Sequence, residues 1–414
     1  MRELAEQLTL RGHQVTVATS QEHDRDFQSL NGVAIEGFNV SGNGVSGMLG
    51  EIPRYQQYVI DGGFDAVMIM AAQQWTFDAL WPVLDQITSR KIFIPCGYSG
   101  FYESAYSKYF KQLPAVLKQI DHLVFHSTNY RDINFARTCG LKNFSVIPVG
   151  ASRSTFDVEP DRMFRSIHGI REETFVFLTV GTFTGIKGHL ELARAFSLLK
   201  LKKNEHATLI LNGNQVKSPA HGILGTYRKI FHLIKTQGLS YLLKKACRII
   251  WPGDDNLIEI VKKINRSQAQ KKVLVTDFSR KDLTQLFITA DLFVFASKIE
   301  YSPLVLFEAA AAGTPFLSVG VGNASEIAQW TGAGVMCPSK IDTKGYTTVS
   351  ENDLAVAMAD LMRKPERLEA LGRAGRKNWI QKFNWEVIAV HYEQLLMEKI
   401  TAQEERTVVT GISA

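Results

Sequence analysis

The chain has 414 residues, of which 45% are hydrophobic and 21% are charged, and its formal net charge is +6. This length and composition predict two domains with sizeable cores and exclude a disordered chain. The four cysteines lie far apart without a CxxC pair, which excludes a disulfide framework or a structural zinc site and favours a reducing compartment. The sequence has no uncharged apolar run of about 18 residues, so no membrane-spanning helix is predicted. Its N-terminus has no apolar stretch of the kind found in signal peptides, so no signal peptide is predicted.

The first half alternates apolar runs with helix-length periodic segments. An amphipathic helix is predicted at residues 1–10, and it leads through Arg11-Gly12-His13 into the first strand. The further predictions are strands at Gln14–Thr19, Val33–Phe38, Ala66–Met70, Lys91–Pro95, His122–His126 and Phe144–Pro148, and helices at Thr76–Thr88 and Ser107–Ile120. A doubly wound domain normally opens with a strand and a glycine turn. We therefore expect that about 15–20 natural residues are missing before Met1, a permuted domain being the alternative.

A second series of elements follows a predicted linker at residues 150–169, which has mixed polarity and contains Pro160. Its predicted strands are Phe175–Val180, Ala207–Asn212, Lys272–Thr276, Leu292–Ala296 and Pro315–Val319, and its helices are Gly188–Leu201, Lys281–Thr289, Pro303–Ala312 and Ala324–Trp330. The chain from Glu351 onward is predicted to be helical, with a polar tail from Thr401. The alternation predicts an α/β protein with two doubly wound sheets and a ligand cleft at the carboxyl ends of the strands.

The positive charge is concentrated in one segment. Residues 215–272 contain twelve Lys and Arg but three Asp and Glu, a net +9, which leaves −3 for the rest of the chain. This distribution disfavours general nucleic-acid binding. Apolar residues at helical spacing within 225–251 leave two interpretations open. The segment is either an interfacial element on an anionic membrane or a helical insertion packed on the second domain with solvated lysines.

A glycine-containing loop between a strand and a helix is the first candidate site. It reads Gly181-Thr182-Phe183-Thr184-Gly185-Ile186-Lys187-Gly188. Backbone N–H groups at the start of the helix can hold a phosphate, and Lys187 can add a point charge to a diphosphate. A plain strand-to-helix turn with a solvated lysine is the alternative.

The second candidate site is the stretch 297–308, which follows another apolar strand. Ser302 is predicted to be the N-cap of a helix, with Pro303 at its first position, so that free N–H groups face an anion. Glu300 lies in the loop, and Glu308 lies in the helix beside an alanine run. A carboxylate there needs hydrogen-bond donors, which the hydroxyls of a ligand can supply. The alternatives are a salt-bridged Glu308 and a solvated Glu300.

Other reactive residue types give weaker signals. Cys96 follows a strand but has no base nearby, so it is interpreted as a small buried residue. Glu326 is interpreted as a favourable acid in the first turn of a helix. The ten histidines show no paired metal-ligand spacing, and no metal site is predicted.

Taken in order, these motifs resemble those of family 4 glycosyltransferases over nearly the whole chain. The residues Arg11-Gly12-His13-Gln14-Val15-Thr16-Val17 resemble an early element of that family, and Ile147-Pro148-Val149-Gly150 resembles a turn near its domain junction. The loop 181–188 resembles its donor loop. Glu300 and Glu308 fit its E-x7-E signature, and Asn384-Trp385-Glu386 resembles the element where the chain crosses back to the first domain.

The resemblance implies a GT-B fold and a retaining hexosyltransferase (EC 2.4) that uses a nucleotide sugar. Lys187 would bind the donor diphosphate, Glu300 would lie at the sugar hydroxyls, and Glu308 would accept from the ribose hydroxyls. Contacts to sugar and phosphate would come from the backbone of Ser302, Pro303 and Leu304 and from the donor loop with Gly181 and Thr182. Neither a cofactor nor a metal ion is implied, because cationic side chains and helix N-termini stabilise the leaving diphosphate.

The implied acceptor is a glycan or a lipid-linked molecule in cell-surface polysaccharide synthesis. The protein would be cytoplasmic, with peripheral membrane contact through 217–268 as an option and without nucleic acid as a partner. The expected domains are an acceptor-side domain at 1–160, a nucleotide-sugar domain at 161–383 with a basic insertion at 215–270, and a returning helix with a tail at 384–414.

This chain departs from the family pattern at three places. Thr182 stands where the family has an arginine, Val149 where it has an asparagine, and Tyr98 near the expected place of a histidine. Two alternatives to an active glycosyltransferase are therefore left open. One is a catalytically degenerate GT-B module that binds sugar nucleotides, and the other is a GT-B sugar-nucleotide epimerase.

Overall fold

A computed structural model describes residues 1–22, 25–213, 253–267 and 269–398. The strands are β1 (Thr16–Ser20), β2 (Ser29–Leu30), β3 (Val33–Phe38), β4 (Val40–Asn43), β5 (Gly47–Gly50), β6 (Ala66–Met70), β7 (Arg90–Ile94), β8 (His122–Phe125), β9 (Phe144–Val146), β10 (Phe175–Val180), β11 (Ala207–Asn212), β12 (Lys271–Thr276), β13 (Leu292–Phe295), β14 (Phe316–Val319), β15 (Gly334–Cys337), β16 (Lys340–Ile341) and β17 (Thr347–Thr348).

The α-helices alternate with these strands along the chain. They are Arg2–Leu10, Ile52–Asp61, Trp75–Asp78, Ser107–Leu117, Arg131–Thr138, Arg153–Phe156, Phe164–Ile167, His189–Leu198, Gly253–Ser267, Arg280–Thr289, Leu304–Ala312, Ala324–Thr331, Glu351–Met362, Pro365–Asn378 and Trp385–Met397. Short 3₁₀ turns occupy Trp81–Val83 and Ser104–Tyr106, and a π-helical turn occupies Trp379–Phe383. None of the described helices is both long and apolar enough to cross a membrane.

The second domain is built on a six-stranded parallel sheet. Its strand order is β12-β11-β10-β13-β14-β15, and helices cover both faces. Every residue of β11 and β13 is buried, which is why these strands read as continuous apolar runs in the sequence. The sheet and its helices share one hydrophobic core.

The first domain contains a four-stranded parallel sheet with the order β6-β7-β8-β9. A second, three-stranded sheet has the order β1-β3-β2, with β1 and β3 parallel, and β4 pairs with β5 as a hairpin. An aromatic-rich core lies beneath these sheets, in which the Phe77 and Phe93 rings stack with their centroids 3.8 Å apart. Both domains are thus of the predicted α/β type.

The last described helix, Trp385–Met397, packs on the first domain rather than on the second. Its apolar face joins helix Arg2–Leu10 and strands β7 and β8 in a separate core. Glu393 on this helix accepts a hydrogen bond from Arg11 Nε at 2.9 Å and lies 2.8 Å from His13 Nε2. The packing supports the predicted return of the chain to the first domain, while the domain boundaries themselves stay a prediction.

The chain crosses between the domains at two points that touch each other. Near the first crossing, the Ala151 N–H donates to the Phe383 carbonyl, which lies at the second crossing. The Trp379 indole donates to the Ala151 carbonyl at 3.0 Å. A Cβ atom on Gly150 would lie 2.1 Å from the Phe383 carbonyl oxygen, so only glycine permits this approach.

Two predicted segments differ from the structure by more than a shift of their bounds. The predicted helix Thr76–Thr88 is broken into Trp75–Asp78 and a 3₁₀ turn, because Pro82 has no N–H to continue the helix. The predicted linker 150–169 is folded: it forms two short helices, and its Phe156 and Phe164 are buried in the core of the second domain. Most of the predicted basic insertion and the tail from Thr401 lie outside the described residues.

Candidate active site

Two loops meet where the strand order of the second sheet reverses. The chain leaves β10 for β11 on one side and later returns to form β13 on the other side. The loops 181–188 and 297–303 follow the carboxyl ends of β10 and β13, which are adjacent parallel strands. A reversal of this kind opens a crevice in an α/β sheet, and ligands bind there. The structure thus brings the two candidate sites of the sequence together.

Close backbone packing holds the first loop against the second. The Ile186 carbonyl accepts a hydrogen bond from the Lys298 N–H at 2.8 Å, and the Ser297 Oγ atom lies 3.2 Å from the same carbonyl oxygen. Gly188 begins the helix His189–Leu198 with a φ of 77°, and a Cβ atom there would lie 2.0 Å from the Ala296 carbonyl oxygen. A left-handed backbone angle and a missing side chain are both required at this position, which explains the glycine.

The side chain of Phe183 fixes the middle of the first loop. It is buried, and its ring lies 4.5 Å from the His189 ring, measured between centroids. Thr182 and Thr184 on either side are exposed. At Gly181 an added Cβ atom would lie 3.2 Å from the Lys187 side chain, so the two ends of the loop approach each other closely.

Lys187 and Glu300 form an ion pair at the centre of the crevice. The distance from Nζ to Oε1 is 2.6 Å, and the side chains are 26% and 17% exposed. The same carboxylate oxygen accepts a hydrogen bond from the Ser297 hydroxyl at 2.9 Å. Both predicted residues therefore lie at one point, where they are paired with each other rather than fully solvated, and their roles toward a ligand stay a prediction.

The start of the next helix differs from the prediction. Helix Leu304–Ala312 begins one residue later than expected, with Pro303 rather than Ser302 in the N-cap position and without a side-chain cap. Proline has no hydroxyl that could accept from the first N–H groups, so these groups keep no side-chain partner. The Ser302 hydroxyl is buried and has no hydrogen-bond partner among the residues that the structure describes. An orphaned hydroxyl beside an uncapped helix start fits a polar ligand.

Glu308 lies one turn further along this helix. Its side chain is 11% exposed, and Oε1 is 2.7 Å from Nη2 of Arg280, a residue that is itself 57% exposed. The carboxylate thus has one cationic partner at the rim of the crevice. This is the salt bridge that the sequence left open as an alternative, and it leaves the role of Glu308 toward a ligand to be tested.

Two residues of the first domain point away from the crevice. Tyr98 is 1% exposed and packs edge-on against Phe110 and Phe135 in the core of that domain, so its ring does not take the place of a cleft histidine. Cys96 is a partly buried side chain, and burial raises the pKa of its thiol to about 12. A thiol of this kind is a poor nucleophile at neutral pH, in agreement with its interpretation as a small packing residue.

The contacts across the cleft were missed by the sequence analysis. Glu326, interpreted as a first-turn acid, accepts from the Thr128 N–H at 3.0 Å and from its hydroxyl. Asn323 donates from Nδ2 to the His126 carbonyl at 2.8 Å. The only sequence signal for these contacts is a carboxylate and an amide at the start of one helix. Local pattern cannot show that their hydrogen-bond partners lie in another domain.

Two buried histidines flank the cleft in their neutral form. Burial lowers the pKa of His126 and of His189 to about 4. The Nδ1 atom of His126 lies 2.8 Å from the Ile147 carbonyl, so it carries the proton. Its Nε2 atom, like both ring nitrogens of His189, is buried and has no hydrogen-bond partner in the described part of the chain. Among the described residues, no three His, Cys, Asp or Glu side chains are grouped so that they could hold a metal ion.

The family model of the group 1 glycosyl transferases matches residues 161–378, more than half of the chain. The chain belongs to this family. The match covers both loops of the crevice. Spore coat protein SA of Bacillus subtilis is 30% identical over 144 residues, which are 34% of this group 1 glycosyltransferase and 36% of the relative. The chain therefore matches about a third of the length of that curated relative.

Solved structures establish the fold of this group 1 glycosyltransferase as GT-B. Sucrose-phosphate synthase from Thermosynechococcus elongatus has a TM-score of 0.66 at 20% identity, with 95% of this chain and 91% of that chain covered. The Anabaena protein HepE in complex with UDP and glucose has a TM-score of 0.62 at 15% identity, with 95% and 94% covered. The predicted architecture of two Rossmann-like domains is thus confirmed.

Proposed function

We propose that this group 1 glycosyltransferase is a family 4, retaining enzyme that moves a hexosyl group from a nucleotide sugar to a glycan or lipid-linked acceptor. The observation that carries the proposal is the meeting of a cation, a carboxylate and an uncapped helix start in one crevice. Lys187 Nζ and Glu300 Oε1 are 2.6 Å apart there, and the buried Ser302 hydroxyl has no hydrogen-bond partner among the described residues. Such a set can hold a diphosphate and the hydroxyls of a sugar side by side.

The proposed reaction exchanges one bond at the anomeric carbon. The bond between C1 of the sugar and the β-phosphate oxygen breaks, and a bond from an acceptor hydroxyl oxygen to C1 forms. The acceptor proton passes to the leaving diphosphate, so that atoms and charge balance. Retention requires the new bond on the same face as the old one, and we assign no covalent nucleophile.

Each residue of the crevice has one proposed task. Lys187 binds the diphosphate together with the backbone of Gly181 and Thr182, and the Leu304 N–H at the start of the helix faces the same charge. Glu300 accepts from the sugar hydroxyls. The negative charge that develops on the leaving group is then stabilised by groups already in place, which is the most effective form of electrostatic catalysis.

Glu308 has a separate proposed task. One of its carboxylate oxygens is held by Arg280 at 2.7 Å, and the residue is buried at the rim of the crevice. A carboxylate that is oriented in this way can accept from the two ribose hydroxyls of a nucleotide. No metal ion or further cofactor takes part in this proposal.

Support for the donor class comes from HepE, whose solved complexes contain UDP, glucose and UDP-glucose. The acceptor and the context of cell-surface polysaccharide synthesis are inferred from the resemblance of the sequence alone. Peripheral membrane contact through 217–268 stays a prediction, because residues 214–252 lie outside the described part of the chain.

A donor-hydrolysis assay tests the proposal. The purified full chain is incubated with UDP-glucose, UDP-galactose, UDP-N-acetylglucosamine, GDP-mannose and ADP-glucose, with and without EDTA, and the release of nucleoside diphosphate is measured. We expect release from one of these donors, unaffected by EDTA, with an α-configured sugar as the first product seen by proton NMR.

Matched variants assign the activity to the crevice. Glu300→Gln is expected to reduce release about 100-fold, whereas Glu191→Gln, whose carboxylate instead pairs with Lys298 at 2.8 Å, is expected to retain it. Binding of a nucleotide sugar without release or transfer would identify a degenerate module and overturn the proposal. A β-configured first product would refute retention alone.

A further inference from the structure

Tyr301 belongs to the second domain, but its hydroxyl lies inside the first. The hydroxyl accepts a hydrogen bond from the His126 N–H at 2.9 Å and donates one to the Asp132 carboxylate. Asp132 has no exposed surface. The tyrosine thus spans the interface between the domains, and both hydrogen-bonding functions of its hydroxyl are used there.

The first domain forms a fitted socket for this side chain. Gly97 has a φ of 85°, and a Cβ atom there would lie 2.8 Å from the Tyr301 ring. The Gly97 N–H donates to Asp132 Oδ2 at 2.9 Å, so the carboxylate that receives the tyrosine also fixes the wall of the socket. Tyr130 completes the socket, with its ring centroid 5.0 Å from that of Tyr301.

The main chain beside the socket is held from both domains. The Tyr130 hydroxyl donates to the Glu300 carbonyl at 2.7 Å, and it accepts from Arg131 Nη2 at 2.7 Å. The Asn323 N–H, from the second domain, donates to the Tyr301 carbonyl at 3.0 Å. The peptide groups on either side of Tyr301 are therefore fixed by hydrogen bonds.

Glu300 precedes Tyr301 directly in the chain, so the socket sets its backbone position. Its carboxylate makes short contacts to Lys187 and Ser297, at 2.6 and 2.9 Å. Contacts of this length do not survive a shift of the main chain by 1 Å. A displacement of that size in an active site costs about 100-fold in rate.

We propose that Tyr301 is a positioning residue, whose docking in the socket of the first domain holds Glu300 in place at Lys187. The tyrosine hydroxyl is already satisfied by His126 and Asp132, so it acts through the loop rather than on a ligand. The proposal rests on the proposed function in that Glu300 is assigned to the donor sugar. It adds that the site is complete only when the two domains are docked.

The test removes the hydroxyl and keeps the ring, by Tyr301→Phe. Rates are measured on the most rapidly hydrolysed of the five donors named above. We expect kcat to fall between 10- and 100-fold, with less than a threefold change in the dissociation constant of the free nucleoside diphosphate. Tyr55→Phe is the matched control, because it removes a buried hydroxyl that donates to the Thr76 carbonyl at 2.8 Å within the first domain. That variant is expected to keep its kcat.

A double-mutant cycle separates positioning from a merely structural role. If Tyr301 acts through Glu300, Tyr301→Phe costs less than twofold when it is added to Glu300→Gln. A loss of kcat in the Glu300→Gln background as large as that in the natural protein would overturn the proposal. Tyr130→Phe, which releases the Glu300 carbonyl, repeats the test if Tyr301→Phe does not fold.

Hydrogen exchange of the loop 297–303 gives a readout that needs no turnover. We expect faster exchange of these amides in Tyr301→Phe and unchanged exchange in Tyr55→Phe. Equal exchange in Tyr301→Phe and the natural protein would overturn the positioning role. Absence of release from all five donors would instead refute the proposed function, and the exchange rates would still decide whether the socket holds the loop.

Discussion

Replacement of Lys187 by methionine removes the only side-chain cation proposed at the donor diphosphate while it keeps most of the side-chain volume. In the natural protein the ammonium is oriented by Glu300 at 2.6 Å. Without it, that carboxylate keeps the Ser297 hydroxyl as its partner. The substitution therefore tests charge at the diphosphate with little change in packing.

The size of the effect follows from the geometry of the crevice. A unit charge about 4 Å from a phosphate charge, at an effective dielectric constant of about 20, contributes about 4 kcal/mol. The Lys187 side chain is 26% exposed, so water screens part of this attraction. If roughly two thirds of this attraction is retained in the transition state, its loss in Lys187→Met lowers kcat/KM about 100-fold, since each 1.36 kcal/mol is a factor of ten.

The assay is nucleoside diphosphate release at several donor concentrations, with Lys298→Met as the control. Lys298 lies on the neighbouring loop and pairs with Glu191 at 2.8 Å, so its loss removes an equal charge from a different carboxylate. We expect the control to stay within twofold of the natural protein. Natural kcat/KM in Lys187→Met, or an equal loss in both variants, would refute the assignment of the diphosphate to Lys187.

Three further predictions concern the nucleotide, the pH response and the fold of the donor loop. Glu308→Gln is expected to weaken binding of the free nucleoside diphosphate about tenfold by calorimetry, and unchanged affinity would contradict the ribose assignment. The pKa values of His126 and His189, both lowered to about 4, mean that the unfolded chain binds more protons below pH 6.5. The contribution of these neutral histidines to the free energy of unfolding is thus fully present above that pH and is lost as the pH falls toward 4. We expect a lower Tm at pH 5 than at pH 7, and we expect this difference in Tm to be smaller in His189→Gln. Gly188→Ala, which places a Cβ atom against a strand carbonyl, is expected to cost more than about 2 kcal/mol in urea unfolding, whereas Gly185→Ala has a similar φ of 74° without a close contact and should cost less.

Local pattern predicted five of the six strands of the second sheet and missed the edge strand β15. β10 and β11 have the predicted bounds, and helix Leu304–Ala312 begins one residue after the predicted start. Parallel strands that are buried on both faces carry continuous apolar runs, and this signal is independent of the rest of the fold. The contact between Lys187 and Glu300 depends in addition on the order of the strands in the sheet, which places β10 beside β13 and which local pattern did not specify.

Contacts made over long sequence distances were not predictable in the same way. Ser302 has the residue type of an N-cap, but Pro303 takes the N-cap position, and the Ser302 hydroxyl is buried without a partner in the part of the chain that the structure describes. Tyr98 has a polar tip, yet its ring fills the core of the first domain. The hydrogen-bond partners of Glu326 and Tyr301 lie in the other domain, and the local periodicity of a sequence does not predict contacts of this kind. A sequence specifies these contacts only through the final packing of both domains.

The two chain crossings, tied together by the hydrogen bonds of Ala151, have a mechanical consequence for this enzyme. A pair of tied crossings acts as a single pivot, so relative motion of the domains is reduced to rotation about one small region. Tyr301 is a further link between the domains, because its hydroxyl accepts from the His126 N–H and donates to the Asp132 carboxylate. A rotation about Gly150 and Phe383 that separates the domains therefore has to break both hydrogen bonds of the Tyr301 hydroxyl.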